Sequence, residues 1–322
     1  MPSAIRINRH GGPEVLEWES VEVGAPESGQ VLVRHRAIGL NFLDIYERTG
    51  LYNAALPLTP GREAAGIVEQ IGPGVRHIAV GDRVAYVANV SGAYSEVRIL
   101  SADRVVRLPD SIDDRTAAAI MLKGLTAQML LRQVHRVRKG DRVLIHAAAG
   151  GVGSLLVPWA KHLGAHVLAL VGDASKIDHV RKLGADEVLT TNDDWVAAAR
   201  KGRHDGVHVV YDSVGKDTFF ASLDCLRSRG IMVTFGNSSG PAPAFAPLEL
   251  SKRGSLFLTR PTLFDYIKTR GALAKSAQEL FDLITSGVLS AQIGQSFALR
   301  DAAEAQRALE SRQTKGSTVL IP

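Results

Sequence analysis

A single cysteine, Cys225, stands among 322 residues, so no internal disulfide can form and no four-cysteine metal site can be built. A reducing, cytoplasmic setting is expected of such a chain. Long apolar runs are also missing. None approaches the ~18 residues of a membrane span, and Met1-Pro-Ser-Ala-Ile5 has no apolar signal core. The net charge of +5 is spread over the chain without a long basic tract, so neither nucleic acid nor a membrane is an expected partner. Internal repeats and low-complexity segments are absent. What remains is 45% hydrophobic and 22% charged, the make-up of a globular protein whose length suits about two domains.

The most informative stretch is Asp141-Arg-Val-Leu-Ile-His-Ala-Ala-Ala-Gly-Gly-Val-Gly-Ser154. Val143–Ala147 reads as a buried strand, and Ala148-x-Gly150-x-x-Gly153 fits the dinucleotide fingerprint with alanine in place of its first glycine. Small residues there let a pyrophosphate approach the backbone and face the positive end of the next helix. Pro158 lies about two turns into that helix and predicts a kink near Ser154–Pro158. Strand and helix patterns then alternate: strands at Val167–Val171, Glu187–Thr190, Val207–Tyr211 and Ile231–Phe235, with a helix at Ser175–Leu183. Such alternation predicts a parallel, doubly wound sheet.

The first third is β-rich instead. Short β-branched segments at Ala4–Ile7, Val31–Ile38, Gly66–Ile71, Arg83–Val87 and Ser95–Ile99 are separated by turn signals, the pattern of a compact β-barrel. Ser111 suits a helix cap, with Asp113 and Asp114 in the first turn and helical spacing from Ala117 to Arg132. Near the end, helices at Ala272–Ser286 and Arg300–Glu310 precede a closing strand, Ser317–Ile321, which is expected to return to the N-terminal domain.

Two patterns are set aside. Gly236-Asn-Ser-Ser-Gly240 matches a nucleophile elbow, but Pro241-Ala-Pro243 follows where a helix must begin, so a ligand-facing loop is expected. His162/His166 and His204/His208 have helical metal spacing, yet Gly164 and Gly206 interrupt them, which favours surface histidines.

Gly61-Arg-Glu-Ala-Ala-Gly66 brackets a charged pair between glycines, a loop ion pair or something more specific. With Glu63 and Gly66 it resembles the G-H-E-x-x-G segment of the medium-chain dehydrogenase/reductase superfamily, with Arg62 where the zinc-ligating histidine stands in that pattern. The chain resembles the zinc-free branch. His10-Gly-Gly-Pro-Glu-Val-Leu16, Asn41-Phe-Leu-Asp-Ile-Tyr46, Gly50-Leu-Tyr52, Leu122-Lys-Gly-Leu-Thr126, His146–Gly153, Tyr211-Asp-Ser-Val-Gly215, Phe235-Gly-Asn-Ser-Ser239 and Thr259-Arg-Pro261 are similar to the NADPH:quinone oxidoreductase, zeta-crystallin-like family.

That resemblance implies an α/β protein in which a doubly wound Rossmann domain (123–260) is inserted into a GroES-like β-barrel catalytic domain (1–122 and 261–322). It further implies a homodimer, NADPH as cofactor without zinc, and a quinone as substrate. Asn41, Tyr46 and Tyr52 are the implied catalytic residues, with Asn41, Phe42, Asp44 and Tyr46 forming a wall beside the nicotinamide. Asn41 or a tyrosine hydroxyl suits a developing oxyanion. Gly150, Gly151 and Val152 are implied for the pyrophosphate. Gly172, Lys176 and Thr191 are implied for the ribose end, and Ser213, Gly236, Asn237, Ser238, Arg260 and Arg312 for further cofactor contacts. Met129 stands where relatives can place a tyrosine. Asp173 lies near the distance at which an acidic group would favour NADH, whereas Lys176 matches the lysine that pairs with the 2′-phosphate of NADPH. An alkenal or enone reductase is the alternative activity, and an AU-rich RNA-binding or structural role is the non-enzymatic one.

Overall fold

The computed structural model describes residues 1–201, 205–311 and 314–322. The chain splits into two compact units. One holds Met1–Leu125, Ile267–Thr285 and Ala291–Pro322, and the other holds Thr126–Tyr266 and Ser286–Ser290.

The first unit opens with a hairpin of β1 (Ser3–Arg6) and β2 (Glu17–Ser20). β3 (Gln30–Leu40) follows and is its longest strand, with Val31, Leu32, Val33, Ile38 and Leu40 among its buried positions. Gly50 stops the helix α1 (Phe42–Thr49) in a left-handed conformation, φ 80°, a position suited to glycine. β4 (Glu63–Ile71), β5 (Arg83–Val87), β6 (Val97–Ser101) and β7 (Val105–Arg107) complete the N-terminal part. β4 starts three residues before the Gly66 expected from the β-branched pattern, so Glu63 is a strand residue.

The helix α2 (Asp114–Gln128) runs into a π-helical turn, Met129–Val134. Its start differs from expectation: the Asp113 carboxylate accepts the Thr116 N–H at 2.8 Å, while the Ser111 hydroxyl meets that of Thr285. Asp113 is the cap because its two oxygens also hold the Thr116 hydroxyl.

The second unit contains β8 (Arg142–Ile145), the helix α3 (Gly153–His162), β9 (His166–Val171), β10 (Glu187–Thr190), β11 (Val207–Asp212), β12 (Leu226–Thr234) and β13 (Phe257–Thr259). All six strands are parallel in the order β10-β9-β8-β11-β12-β13. The order reverses between β8 and β11, the switch point at which open α/β sheets bind ligands. Val143–Ile145 and Val167–Val171 are buried without alternation, as strands covered on both faces must be. Pro158 lies inside the continuous helix α3, where its missing N–H leaves the Ser154 carbonyl without an intrahelical donor.

The chain then returns to the first unit. β14 (Ile293–Ala298) pairs parallel with β15 (Ser317–Ile321), and β15 pairs antiparallel with β3, Thr318 facing Leu40. The resulting sheet runs β14-β15-β3-β4-β5-β7, with β6 also on β3. It surrounds a core that includes Val31, Val33, Ile38, Val68, Tyr86, Tyr94 and Leu320. Among the described residues, no helix is long and apolar enough to cross a membrane.

Candidate active site

In the first unit the chain leaves β3 at Leu40, takes an extended conformation at Asn41, and enters α1. The Asn41 backbone N–H donates to the Asp44 carboxylate at 2.9 Å, satisfying a donor that a helix start otherwise leaves bare. Asp44 is fully buried, and the same oxygen accepts the Tyr94 hydroxyl at 3.0 Å. Burial, reinforced by the nearby Glu47 carboxylate, pushes the Asp44 pKa up to about 7.

The Asn41 side chain turns the other way. Its amide donates to Glu63 Oε1 at 2.8 Å. Glu63, also fully buried, accepts the Leu122 N–H at 2.5 Å and Lys123 Nζ at 3.0 Å. Lys123 is itself only 6% exposed. The neighbouring strand makes room for this carboxylate through Gly39, paired with Glu63 in register. A Cβ on Gly39 would lie 2.2 Å from Glu63 Oε1 and 2.3 Å from the Ala118 carbonyl oxygen.

Phe42, Tyr46 and Tyr52 form an aromatic series along α1 and the turn after it, with ring centroids 6.2 Å and 5.2 Å apart. The Tyr52 N–H donates to the Tyr46 carbonyl at 3.0 Å and fixes that turn. All three rings are partly exposed. Arg48, 1% exposed, holds α1 to the helix Ala302–Glu310 through Gln306 at 2.9 Å and Glu310 at 2.5 Å. The unit thus gathers Asn41, Phe42, Asp44, Tyr46 and Tyr52, but with Asp44 sealed inside.

In the second unit the loop after β8 passes Ala147 in a left-handed conformation, φ 49°. Its carbonyl accepts the Gly150 N–H at 2.9 Å. Gly153 is required by close packing, since an added Cβ would stand 2.4 Å from the Ala147 carbonyl oxygen and 2.7 Å from Ala148 Cα. At the end of β11 the buried Asp212 carboxylate accepts the N–H groups of Val214 and Gly215 and the hydroxyls of Thr218 and Ser222, all within 3.0 Å. The Ser222 hydroxyl also meets His146 Nε2 at 2.8 Å, and burial lowers the pKa of that imidazole. This network braces the turns after β8 and β11 from beneath.

Ser213, Gly236, Asn237 and Ser238 lie together at the next strand ends. The Ser238 N–H donates to the Ser213 carbonyl at 3.3 Å, and Gly236 packs so closely on Ser213 that a Cβ would fall 2.4 Å from its carbonyl oxygen. Arg260, just past β13, donates to Thr234 Oγ1 at 3.2 Å and to the Gly236 carbonyl at 3.3 Å. No helix follows Gly240 until Leu248, which agrees with the loop expected there.

At the tip of β9, Gly172 is exposed and Thr191 donates its N–H to the Val171 carbonyl at 3.0 Å. Asp173 caps the turn carrying Lys176, its carboxylate accepting the Ser175 N–H at 2.8 Å. Met129 is buried in the π-helical turn, 1% exposed. Arg312 and His204 lie outside the described residues.

Two family models match: an alcohol dehydrogenase GroES-like domain over residues 27–110 and a zinc-binding dehydrogenase over residues 151–285. A quinone oxidoreductase of Pseudomonas aeruginosa is 48% identical over 100% of both chains. A 2-haloacrylate reductase of a Burkholderia species is 45% identical over 100% of this chain and 99% of its own length. The crystal structure of Escherichia coli quinone oxidoreductase complexed with NADPH superposes with a TM-score of 0.97 at 45% identity, covering 99% of this chain and 100% of that one. The chain belongs to the quinone oxidoreductase family.

Membership makes it an oxidoreductase of the medium-chain dehydrogenase/reductase superfamily, with the GroES-like and Rossmann-type domains expected from its sequence. The structure gives Arg62 a set of protein partners. Arg62 pairs with Glu47 through its Nε at 3.0 Å and through its terminal nitrogen, and it donates to the Asn89 carbonyl. Ser91 holds the other Glu47 oxygen at 2.5 Å. Among the described residues, no group of three or more histidines, cysteines, aspartates or glutamates is arranged to hold a metal ion.

Two participants were missed by sequence reasoning, Lys123 and Asp212. The signal for Lys123 was available: it is the only charged residue in the mostly apolar run from Ala117 to Leu131.

Proposed function

We propose that the chain reduces quinones with NADPH as hydride donor and without a metal ion at the reacting carbonyl. The observation that carries this reading is the pairing of a polar amide, Asn41, with the partly exposed rings of Phe42, Tyr46 and Tyr52. A flat aromatic acceptor stacks on such rings, and an amide N–H stabilises the oxygen on which charge develops. Arg62 in place of a ligating histidine supports the metal-free part of the reading.

The backbone fits the cofactor. An added Cβ on Gly172 meets nothing within 4 Å, and one on Gly150 meets only the Ala147 carbonyl oxygen at 3.1 Å. The tips of β8 and β9 are therefore open to a ligand. Gly150, Gly151 and Val152 would hold the pyrophosphate beside the start of α3. Gly172, Lys176 and Thr191 would hold the ribose end, Lys176 facing its 2′-phosphate. Ser213, Gly236, Asn237, Ser238, Arg260 and Arg312 would supply further contacts. Asp44 and Met129, both buried, would act by supporting the residues next to them. When bound, NADPH supplies the hydride.

The same reading makes the assembly a homodimer. Among the described strands, β13 is paired only with β12, and Phe257 upon it is 60% exposed, an edge that invites a second copy. Sedimentation at a single subunit mass would overturn that part.

Steady-state kinetics test the activity with NADPH and NADH against a benzoquinone, an enone and a 2-haloacrylate. The expected outcome is a kcat/KM roughly tenfold higher for NADPH than for NADH and for the quinone than for the others, a difference of about 1.4 kcal/mol in each case. A higher value for the enone or haloacrylate would replace quinone reduction by conjugated-bond reduction, the reading favoured by the 45% identity to a 2-haloacrylate reductase.

A further inference from the structure

We propose that Glu63 is the positioning residue for Asn41, and that Lys123 is the counter-charge that allows this carboxylate to be buried beside it. The inference deepens the reading above, on which the catalytic use of Asn41 rests.

An asparagine amide has two faces of opposite character, an oxygen that accepts and a nitrogen that donates, and the two exchange places by a flip of the side chain. A carboxylate removes that freedom because it can only accept. Glu63 Oε1, 2.8 Å from Asn41 Nδ2, therefore commits the nitrogen to its own side and sets the plane of the amide. One of the two N–H groups is used in this bond. Among the described residues, the other meets no protein acceptor, although Asn41 is only 8% exposed. A spare, preoriented donor is what an oxyanion requires.

The supports for Glu63 come from two segments, the helix α2 and the strand β3. Leu122 N–H holds its second oxygen at 2.5 Å, Lys123 Nζ shares the first at 3.0 Å, and Gly39 leaves the space it fills. A buried carboxylate is costly unless it is paired and hydrogen-bonded, and here every partner also restricts its rotation. A simpler way to stabilise this fold would be an apolar side chain at 63. The ion pair is explained by what it does to Asn41.

The test is a double-mutant cycle between Asn41→Ala and Glu63→Gln. Glutamine keeps the volume of Glu63 but offers both a donor and an acceptor, so the Asn41 amide regains its flip. Glu63→Gln is expected to lower kcat for the quinone by roughly tenfold with both KM values within about twofold, because an interaction made chiefly in the transition state is lost. In the Asn41→Ala background the same change is expected to have little further effect. Equal fold losses in both backgrounds would overturn the proposal, since Glu63 would then act independently of Asn41. If Glu63→Gln does not fold, the pair Glu63→Gln with Lys123→Met removes both charges together and carries the same comparison.

A second readout needs no turnover. In the ¹⁵N spectrum of the protein without nucleotide, the side-chain NH2 pair that disappears in Asn41→Ala is expected to have one proton shifted far downfield, and Glu63→Gln is expected to return it to the ordinary amide range. An unshifted pair in the wild-type spectrum would overturn the proposal. Failure of the wild-type chain to oxidise NADPH with any acceptor would overturn the functional reading and leave this spectral result standing.

Discussion

Around Asn41 the first unit's candidate site is made of side chains that carry charge into a closed interior: Asp44 and Glu63 are fully buried, and Lys123 nearly so. Around Gly150 the second unit's candidate site is made of backbone, with Gly153 and Gly236 packed where a Cβ would not fit and Asp212 bracing the turns from below. The two regions therefore tolerate different errors. An isosteric change that alters donors or charge should damage the first and hardly touch the second. Adding one methyl group should do the reverse.

The largest effect is expected from Asn41→Ala. Loss of a single preorganised donor lowers kcat by about 10²–10³, while the KM for NADPH changes much less. A loss confined to the nucleotide KM, measured in the same steady-state assay, would place Asn41 with the cofactor rather than with the reacting oxygen. Next in size is Gly153→Ala. Its Cβ would press on the backbone at Ala147 and Ala148, and the loop must shift away from the form proposed to hold the pyrophosphate. A nucleotide affinity weaker by roughly 30-fold, about 2 kcal/mol, is expected by calorimetric titration, with kcat at saturation nearly unchanged. Unaltered affinity would remove the loop from the nucleotide site.

The same contrast explains which parts could be read from the sequence. The loop at Gly150 was legible because its determinants are consecutive: an apolar strand, small residues at fixed spacing, and a helix. Strands such as Glu187–Thr190 and Ser317–Ile321 were legible from local β-branched residues, and their observed bounds agree. Glu63 was read outside its strand because a carboxylate ordinarily marks a loop. Its burial depends on Asn41, Leu122 and Lys123, which are 22, 59 and 60 residues away. No local pattern contains that information. β14 was missed for a related reason. Its sequence, Ile293-Gly-Gln-Ser-Phe-Ala298, is weakly apolar, and its strand form is fixed by pairing with β15 at the edge of the sheet.

A smaller effect, confined to the first unit, is read out by pH. Asp44 has its folded pKa raised to about 7 from an ordinary 3.8, so the folded state holds a proton that the unfolded state has lost. Its contribution to stability is complete below about pH 4 and disappears as pH rises through 7. His35, buried in the same unit against Tyr86, has its pKa lowered to about 4 from 6.5 chiefly by burial. Its contribution is present above pH 6.5 and is lost as pH falls to 4. The two slopes oppose each other between pH 4 and 6.5. Asp44→Asn mimics the protonated acid and removes one of them. Urea midpoints are expected to show the variant gaining on the wild-type chain by on the order of 2 kcal/mol as pH rises from 4 to 7. A constant difference across that range would mean that Asp44 is ionised in the folded protein.

The smallest effect is expected at Lys176, a charge proposed to contact the nucleotide. Its turn is held by the Asp173 carboxylate accepting the Ser175 N–H and by the Lys176 N–H donating to the Asp173 carbonyl at 3.1 Å. Asp173 thus has a structural task, which weakens the case for NADH that its place in the sequence suggests. Lys176→Ala is expected to raise the KM for NADPH by about fivefold and to leave that for NADH unchanged, a loss of roughly 1 kcal/mol suited to a partly exposed charge. The difference should shrink as salt is raised from 0.05 to about 0.5 M, because the Debye length falls well below the reach of an exposed pair. Equal losses with both nucleotides would shift the discrimination from Lys176 to Thr191 and the open backbone at Gly172, and the second unit would then select its cofactor by shape alone.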